Sequence, residues 1–185
     1  TMKILIVNDD SIDAPGIRLL AREAAELGDV WVAAPAEQCS AMSQKLTLRE
    51  LISLKEVTDF PAPVVKAWSI GGTPVDCVKI ALEYLLEEKP DVVLSGINNG
   101  FNAGQDIAYS GTLGAAFEAR RLGVPAIAFS TAADKYLDAL YGMTLEEVWK
   151  PIFVLGYENQ FVGGGVNPLH ALHNDGRKLV GRAVT

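Results

Sequence analysis

Residues Lys3-Ile4-Leu5-Ile6-Val7 form a run of strand formers that stops abruptly at Asn8-Asp9-Asp10. Two adjacent carboxylates at the carboxyl end of a first strand are costly to fold around unless something pairs with them. Where asparagine and serine oxygens lie nearby, a hard divalent cation is the commonest partner. Open α/β sheets also place their ligands at the carboxyl ends of strands. The start of the chain therefore points to a metal site at a sheet edge. The plainer alternative is that Asp9 and Asp10 cap the next helix or sit in solvated turns.

Strand and helix signals alternate along the next 120 or so residues. Pro15-Gly16-Ile17 opens a helix with Ile17, Leu20, Ala24 and Leu27 at helical spacing and Gly28 as its stop. Val30 to Ala34 reads as a second strand closed by Pro35, and Glu37 to Lys45 as a polar loop or short helix. Leu46 to Leu54 and Val64 to Ile70 read as extended pieces that leave the main sheet as a β-excursion. Thr73-Pro74-Val75-Asp76 has the pattern of a capped helix start, followed by the stripe Val75, Val78, Leu82, Leu85 and Leu86. Asp91 to Ser95 is a buried-type strand, and a glycine-rich loop is expected from Gly96 to Gly111. Thr112 to Leu122 reads as a helix and Ala126 to Ser130 as a strand. This rhythm implies a mostly parallel sheet with helices on both faces. Tyr136 to Tyr141 and Leu145 to Leu155 are expected to be helical, with Pro151 as a kink or break, and Gly163-Gly164-Gly165 a spacer.

A chain of 185 residues, 49% hydrophobic, is most simply one domain spanning 1–185. A net charge of -7 without a Lys/Arg cluster argues against binding nucleic-acid duplexes. Local phosphate binding through a metal and backbone N–H groups remains open to an acidic chain. Cys39 and Cys77 lack C-x-x-C spacing, which favours a reducing compartment. No basic segment followed by an apolar core, and no apolar run approaching ~20 residues, is present. The expectation is a soluble, cytoplasmic protein without a membrane partner.

Three loops should meet at one edge of such a sheet. They carry Asn8, Asp9 and Asp10; Gln38, Cys39 and Ser40; and Asn98, Asn99 and Gly100. Their oxygens suit Mg²⁺, Mn²⁺ or Ca²⁺ rather than zinc, although Asn and Ser in loops are singly most often turn residues. Tyr109-Ser110-Gly111-Thr112 precedes a helix, so its N–H groups and hydroxyls could cradle an anion, or Ser110 or Thr112 could simply be an N-cap. Cys77 reads as a core thiol, and Cys39 has no histidine close in sequence to activate it. His170 and His173 lie in the poorly patterned tail.

These motifs, taken in order, resemble the stationary-phase survival protein SurE family. The resemblance is carried by Asn8-Asp9-Asp10, Ala14-Pro15-Gly16-Ile17, Ala34-Pro35 with Gln38-Cys39-Ser40, and Leu46-Thr47-Leu48. Further matches are Gly72-Thr73-Pro74-Val75-Asp76-Cys77-Val78, Ser95-Gly96-Ile97-Asn98 with Gly100, and Tyr109-Ser110-Gly111-Thr112 with Gly114-Ala115-Ala116. They run from Met2 to about Ser130. The resemblance implies an α/β, Rossmann-like three-layer sandwich and a metal-dependent 5′/3′-nucleotidase acting on nucleoside monophosphates, with trimming of short polyphosphate in some members. It implies Asp9, Asp10, Ser40 and Asn98 as ligands of Mg²⁺ or Mn²⁺. Ser110, Gly111 and Thr112 would line the phosphate site with Asn8 beside it. It also implies a homodimer or homotetramer, with residues 131–185 as the candidate oligomerisation segment.

Two departures stand out. Ser11 occupies a position that is usually glycine in the family, which would strain it if φ is positive there. The C-terminal segment is atypical or shortened, with no recognisable late strand or exchanged arm after about Leu155.

The mechanism expected is direct hydrolysis, with Asp9 or Asp10 orienting or deprotonating a water and the Ser110–Thr112 cradle stabilising phosphoryl charge. A receiver-type signalling domain is disfavoured because Ser95 stands where a phosphoacceptor aspartate would be needed. The alternative is a non-catalytic nucleotide-binding module with a degenerate tail.

Overall fold

The computed structural model describes residues 1–100, 102, 104–131, 152–155 and 161–162. Strand β1 (Met2–Val7) lies mid-sheet and is apolar and buried from Ile4 to Val7 because that stretch faces two layers. Ile4 and Ile6 pack toward helix α1 (Pro15–Ala24), whereas Leu5 and Val7 pack toward helices α2 (Pro74–Ile80) and α3 (Gly111–Arg121). Proline in its first turn starts α1, which buries Ile17, Leu20, Ala21 and Ala24. A Cβ on Gly16 would lie 2.2 Å from the Ile97 carbonyl oxygen, so only glycine lets α1 seat so closely.

Strand β2 (Gly28–Pro35) runs parallel to β1, and the strand β4 (Lys66–Ile70) parallel to β2. The short strand β3 (Leu54–Glu56) is antiparallel to β4 at the sheet edge. On the other side come β5 (Val92–Asn99) and β6 (Ala126–Thr131), both parallel. They are followed by β7 (Ile152–Leu155) and β8 (Phe161–Val162), both antiparallel. The order is β3-β4-β2-β1-β5-β6-β7-β8. The sheet thus grows outward from β1 in one direction and then, from β5, in the other. The crevice between the carboxyl ends of β1 and β5 is the topological switch point, where open α/β sheets bind ligands. Among the described residues no helix is long and apolar enough to cross a membrane.

The structure departs from the sequence reading in three places. The segment over 64–70 is not part of an excursion; its strand β4 belongs to the parallel sheet, and β3 alone turns back. Strand β5 continues through Asn99, so the glycine-rich loop starts later than Gly96. Gly96, at φ 136°, absorbs an irregularity between Ser95 and Asn98, after which pairing with β6 resumes at Asn98–Ser130. Residues 152–155 form a strand rather than the end of a helix, because Ile-Phe-Val-Leu can pair with the edge of β6. The remainder of that expected helix, the one over 136–141, Gly163 to Gly165, His170 and His173 lie outside the described residues.

Candidate active site

The turn after β1 is closed from within. The Nδ2 of Asn8 donates to the Ser11 carbonyl oxygen at 2.7 Å, and the Ile12 N–H reaches the Pro35 carbonyl oxygen at 2.9 Å. Ser11 has φ 98°, the left-handed backbone in which glycine would be relaxed. Asn8 is fully buried, and its Oδ1 has no hydrogen-bond partner among the described residues.

Asp9 is 6% exposed and lies against the start of α3. The Thr112 hydroxyl donates to its Oδ1 at 2.7 Å, and the Thr112 N–H to its Oδ2 at 3.2 Å. The approach requires Gly111, where a Cβ would come within 3.1 Å of Asp9 Oδ2 and 3.0 Å of its Cβ. Asp10 accepts the Asn99 N–H on Oδ2 at 2.8 Å and Gln38 Nε2 on Oδ1 at 3.4 Å. These donors are neutral, and among the described residues no lysine or arginine forms an ion pair with either aspartate. Burial pushes the Asp9 carboxyl up to about 6, with the Asp10 charge adding to it and the Thr112 bonds opposing it. Burial raises Asp10 as well, against its bonds from Asn99 and Gln38.

Asn98 is the last residue but one of β5, with Nδ2 donating to the Gly100 carbonyl oxygen at 2.9 Å. That bond turns the amide so that Oδ1 is the remaining acceptor. Ser40 is exposed on the loop after β2, and that loop is tied to the site by the Cys39 N–H on the Asp9 carbonyl oxygen at 2.7 Å. Ser110 is the N-cap of α3, its hydroxyl oxygen accepting the Leu113 N–H at 3.2 Å. The capping alternative raised by the sequence therefore holds for Ser110. Thr112 differs from an open cradle in that both its donors point to Asp9. Burial, then the neighbouring Asp9, pushes the Cys39 thiol up, and Cys77 is fully buried, so neither is poised as a nucleophile. Ser95 is buried and donates to the Thr112 carbonyl oxygen at 2.7 Å, a purely architectural use.

The donor set suits a hard cation. Among the described residues the two carboxylates have no cationic partner and the buried Asn8 Oδ1 is orphaned, and Asn98 adds an amide oxygen. No cluster of three or more His, Cys, Asp or Glu occurs among the described residues. A cation held here would use amide and hydroxyl oxygens and keep positions for water or substrate.

One residue escaped the sequence reading. Asn102 is buried, and its Nδ2 donates to Ser130 Oγ at 2.8 Å and to Thr112 Oγ1 at 3.4 Å. A polar chain thus runs Asp9–Thr112–Asn102–Ser130 behind the site. A lone asparagine in a glycine-rich loop gives no signal of this.

The family described as Survival protein SurE matches residues 4–161. The chain is 52% identical over 132 residues to a protein of Chlamydia caviae named 5′-nucleotidase SurE 2, covering 70% of this chain and 46% of that one. It is 53% identical over 130 residues to the 5′-nucleotidase SurE of a Nostoc species, covering 70% and 49%. The crystal structure of the SurE protein from Aquifex aeolicus superposes with a TM-score of 0.64 at 42% identity, covering 71% of this chain and 52% of that one. The chain spans about half the length of the curated relatives it matches. With the paired aspartates at the switch point of the sheet and a family match over most of its length, the chain belongs to the SurE family.

Proposed function

We propose that the chain is a metal-dependent phosphoric monoester hydrolase, a 5′/3′-nucleotidase that converts nucleoside monophosphates to nucleoside and phosphate. The observation that carries the reading is the Asp9–Asp10 pair, Asp9 buried and Asp10 half-buried, held by neutral donors alone among the described residues at the switch point of the sheet. The names of the relatives support the substrate class. Asp9, Asp10, Ser40 and Asn98 would hold Mg²⁺ or Mn²⁺, which when bound supplies charge stabilisation to a phosphoryl oxygen and a more acidic water. Thr112 fixes the Asp9 carboxylate through two hydrogen bonds and leaves it further lone pairs for a ligand. Asp10 Oδ1, whose bond from Gln38 is long, is the acceptor best placed to orient the attacking water and take its proton. The Gly111 N–H, first in α3, and the Ser110 hydroxyl proton are donors for the phosphoryl oxygens. Short polyphosphate presents the same phosphoryl group and is a second substrate to test. We read residues 1–185 as one cytoplasmic domain and 131–185 as the segment that assembles a homodimer or homotetramer.

The test is phosphate release from nucleoside 5′- and 3′-monophosphates with Mg²⁺, Mn²⁺ or EDTA, comparing wild type with Asp9→Asn. Release that requires metal and is lost in the variant is expected. A folded wild type that binds AMP or GMP and releases no phosphate with any metal would leave the protein a nucleotide-binding module.

A further inference from the structure

Asp76 is 1% exposed, and among the described residues no lysine or arginine forms an ion pair with it. Its carboxylate accepts three hydrogen bonds instead. The Thr73 N–H donates to Oδ2 at 2.8 Å, the Thr47 N–H to Oδ1 at 2.9 Å, and the Thr47 hydroxyl to Oδ2 at 2.6 Å. The bond from Thr73 completes the capping box of α2, and the bonds from Thr47 contribute nothing to that helix start. Thr73 has a similar double use. Its hydroxyl accepts the Asp76 N–H at 3.1 Å and donates to the Lys45 carbonyl oxygen at 2.6 Å. Both members of the cap therefore grip residues 45–47.

That segment lies in the loop that carries Ser40, between β2 and β3. The loop is anchored at its start by the Cys39 N–H on the Asp9 carbonyl oxygen. Its middle is held by the Ser43 N–H on the Tyr109 carbonyl oxygen at 2.9 Å and the Ser43 hydroxyl on the Ala108 carbonyl oxygen at 2.8 Å. Ser43 also lies against Gly114, where a Cβ would come within 2.0 Å of the Ser43 carbonyl oxygen. Ala41 and Ser43 have φ 55° and 50°. Non-glycine residues hold the left-handed region only where their surroundings over-determine it.

We infer that Thr47 and Asp76 form a clasp that holds the Ser40 loop, residues 39–47, at the Asp9–Asp10 edge, and are positioning residues of the metal site. The inference rests on the reading of Ser40 as a ligand. Releasing the clasp lets Ala41 and Ser43 relax, and Ser40 then leaves its place.

Two readouts on the full chain test this: Mn²⁺ binding by electron paramagnetic resonance, and tryptic cleavage after Lys45 in EDTA. Thr47→Val removes one hydroxyl from a half-buried side chain, keeps the backbone bond and should fold. It is expected to weaken Mn²⁺ binding about tenfold and to speed cleavage after Lys45, the loss of a hydrogen bond to a charged acceptor being of that size. Thr47→Ser should restore both, and Asp76→Asn should act in the same direction as Thr47→Val. Wild-type Mn²⁺ affinity and cleavage in Thr47→Val would overturn the clasp, as would cleavage rising equally at all sites. Ser40→Ala separates the two readings. If it weakens Mn²⁺ binding and Thr47→Val does not, the clasp is wrong and the ligand reading stands. If the reverse holds, Ser40 is not the ligand, and the inference falls as stated because Thr47 acts on the metal site by a route other than Ser40.

Discussion

Removing the charge of Asp9 should stabilise the metal-free protein. Burial raises its folded pKa to about 6 from the ordinary 3.8. The carboxyl is neutral in both folded and unfolded chains below pH 3.8, so its contribution to stability is full there. That stability is lost as pH rises through 6, because the folded state resists ionisation and the unfolded state does not. The gap between about 6 and 3.8, at about 1.36 kcal/mol per pH unit, comes to roughly 3 kcal/mol. Asp9→Asn keeps the volume and carries no charge at any pH. Its Oδ1 can accept the Thr112 N–H, and its Nδ2 can donate to the Thr112 hydroxyl oxygen, so both contacts survive.

Urea unfolding in EDTA checks this. Relative to its value well below pH 3.8, the stability advantage of Asp9→Asn over wild type should be about 0.5 kcal/mol at pH 4 and roughly 3 kcal/mol at pH 7.5. With a urea slope of about 2–3 kcal/mol per molar, the unfolding midpoint separates by about 1–1.5 M. Adding Mn²⁺ at about 100 times its dissociation constant should return about 2.7 kcal/mol to wild type and nothing to the variant. Parallel pH curves for the two proteins would refute the argument that burial penalises Asp9. Equal stabilisation of both by Mn²⁺ would refute its role as a ligand.

Other positions make further tests. Thr112→Val removes the hydroxyl bond to Asp9, and Mn²⁺ affinity measured by calorimetry should fall roughly 10–100-fold with the fold retained by circular dichroism. Ser11→Gly relieves a residue at φ 98° and should stabilise by up to about 1 kcal/mol after the added freedom of the unfolded chain, raising the thermal midpoint by about 2–4 °C. An unchanged or lower midpoint would show Ser11 to be unstrained. Gly16→Ala places a methyl 2.2 Å from the Ile97 carbonyl oxygen and should cost about 1–3 kcal/mol in urea unfolding by pushing α1 off the sheet.

What the sequence disclosed follows the range of the interactions involved. Strand β1 was legible because Ile4 to Val7 must be apolar on both faces, and α2 because Thr73-Pro74-Val75-Asp76 is a local cap. The course of β5 was not legible, since Gly96 and Gly100 suggest a loop and only pairing with β6 keeps Asn98 and Asn99 in the sheet. The strand at 152–155 depends on the same edge. At the site, Asp9, Asp10 and Asn98 announce themselves as polar residues following apolar strands. The direction of Thr112 does not, because a helix-start pattern says that N–H groups are free and not what they face. The second use of Asp76 is hidden for a similar reason: its capping-box partner is three positions away, while Thr47 lies 29 residues away.

The position of the carboxylates explains why the same residues cost stability and confer function. Asp9 follows the buried end of a central parallel strand, so its charge is desolvated by architecture. A lysine or arginine beside Asp9 would hold its carboxyl low and remove the penalty, and would also fill the space and cancel the field that a cation needs. The chain uses the Thr112 hydroxyl and N–H and the Asn99 N–H instead. Neutral donors fix the carboxylate geometry and leave most of the charge uncompensated, as the upward shift at Asp9 reflects. A local rule of stable folding is thus broken where it leaves a place for a ligand. The penalty in the metal-free protein and the affinity for a cation are two sides of one desolvated charge, so a substitution that lowers the first should lower the second with it.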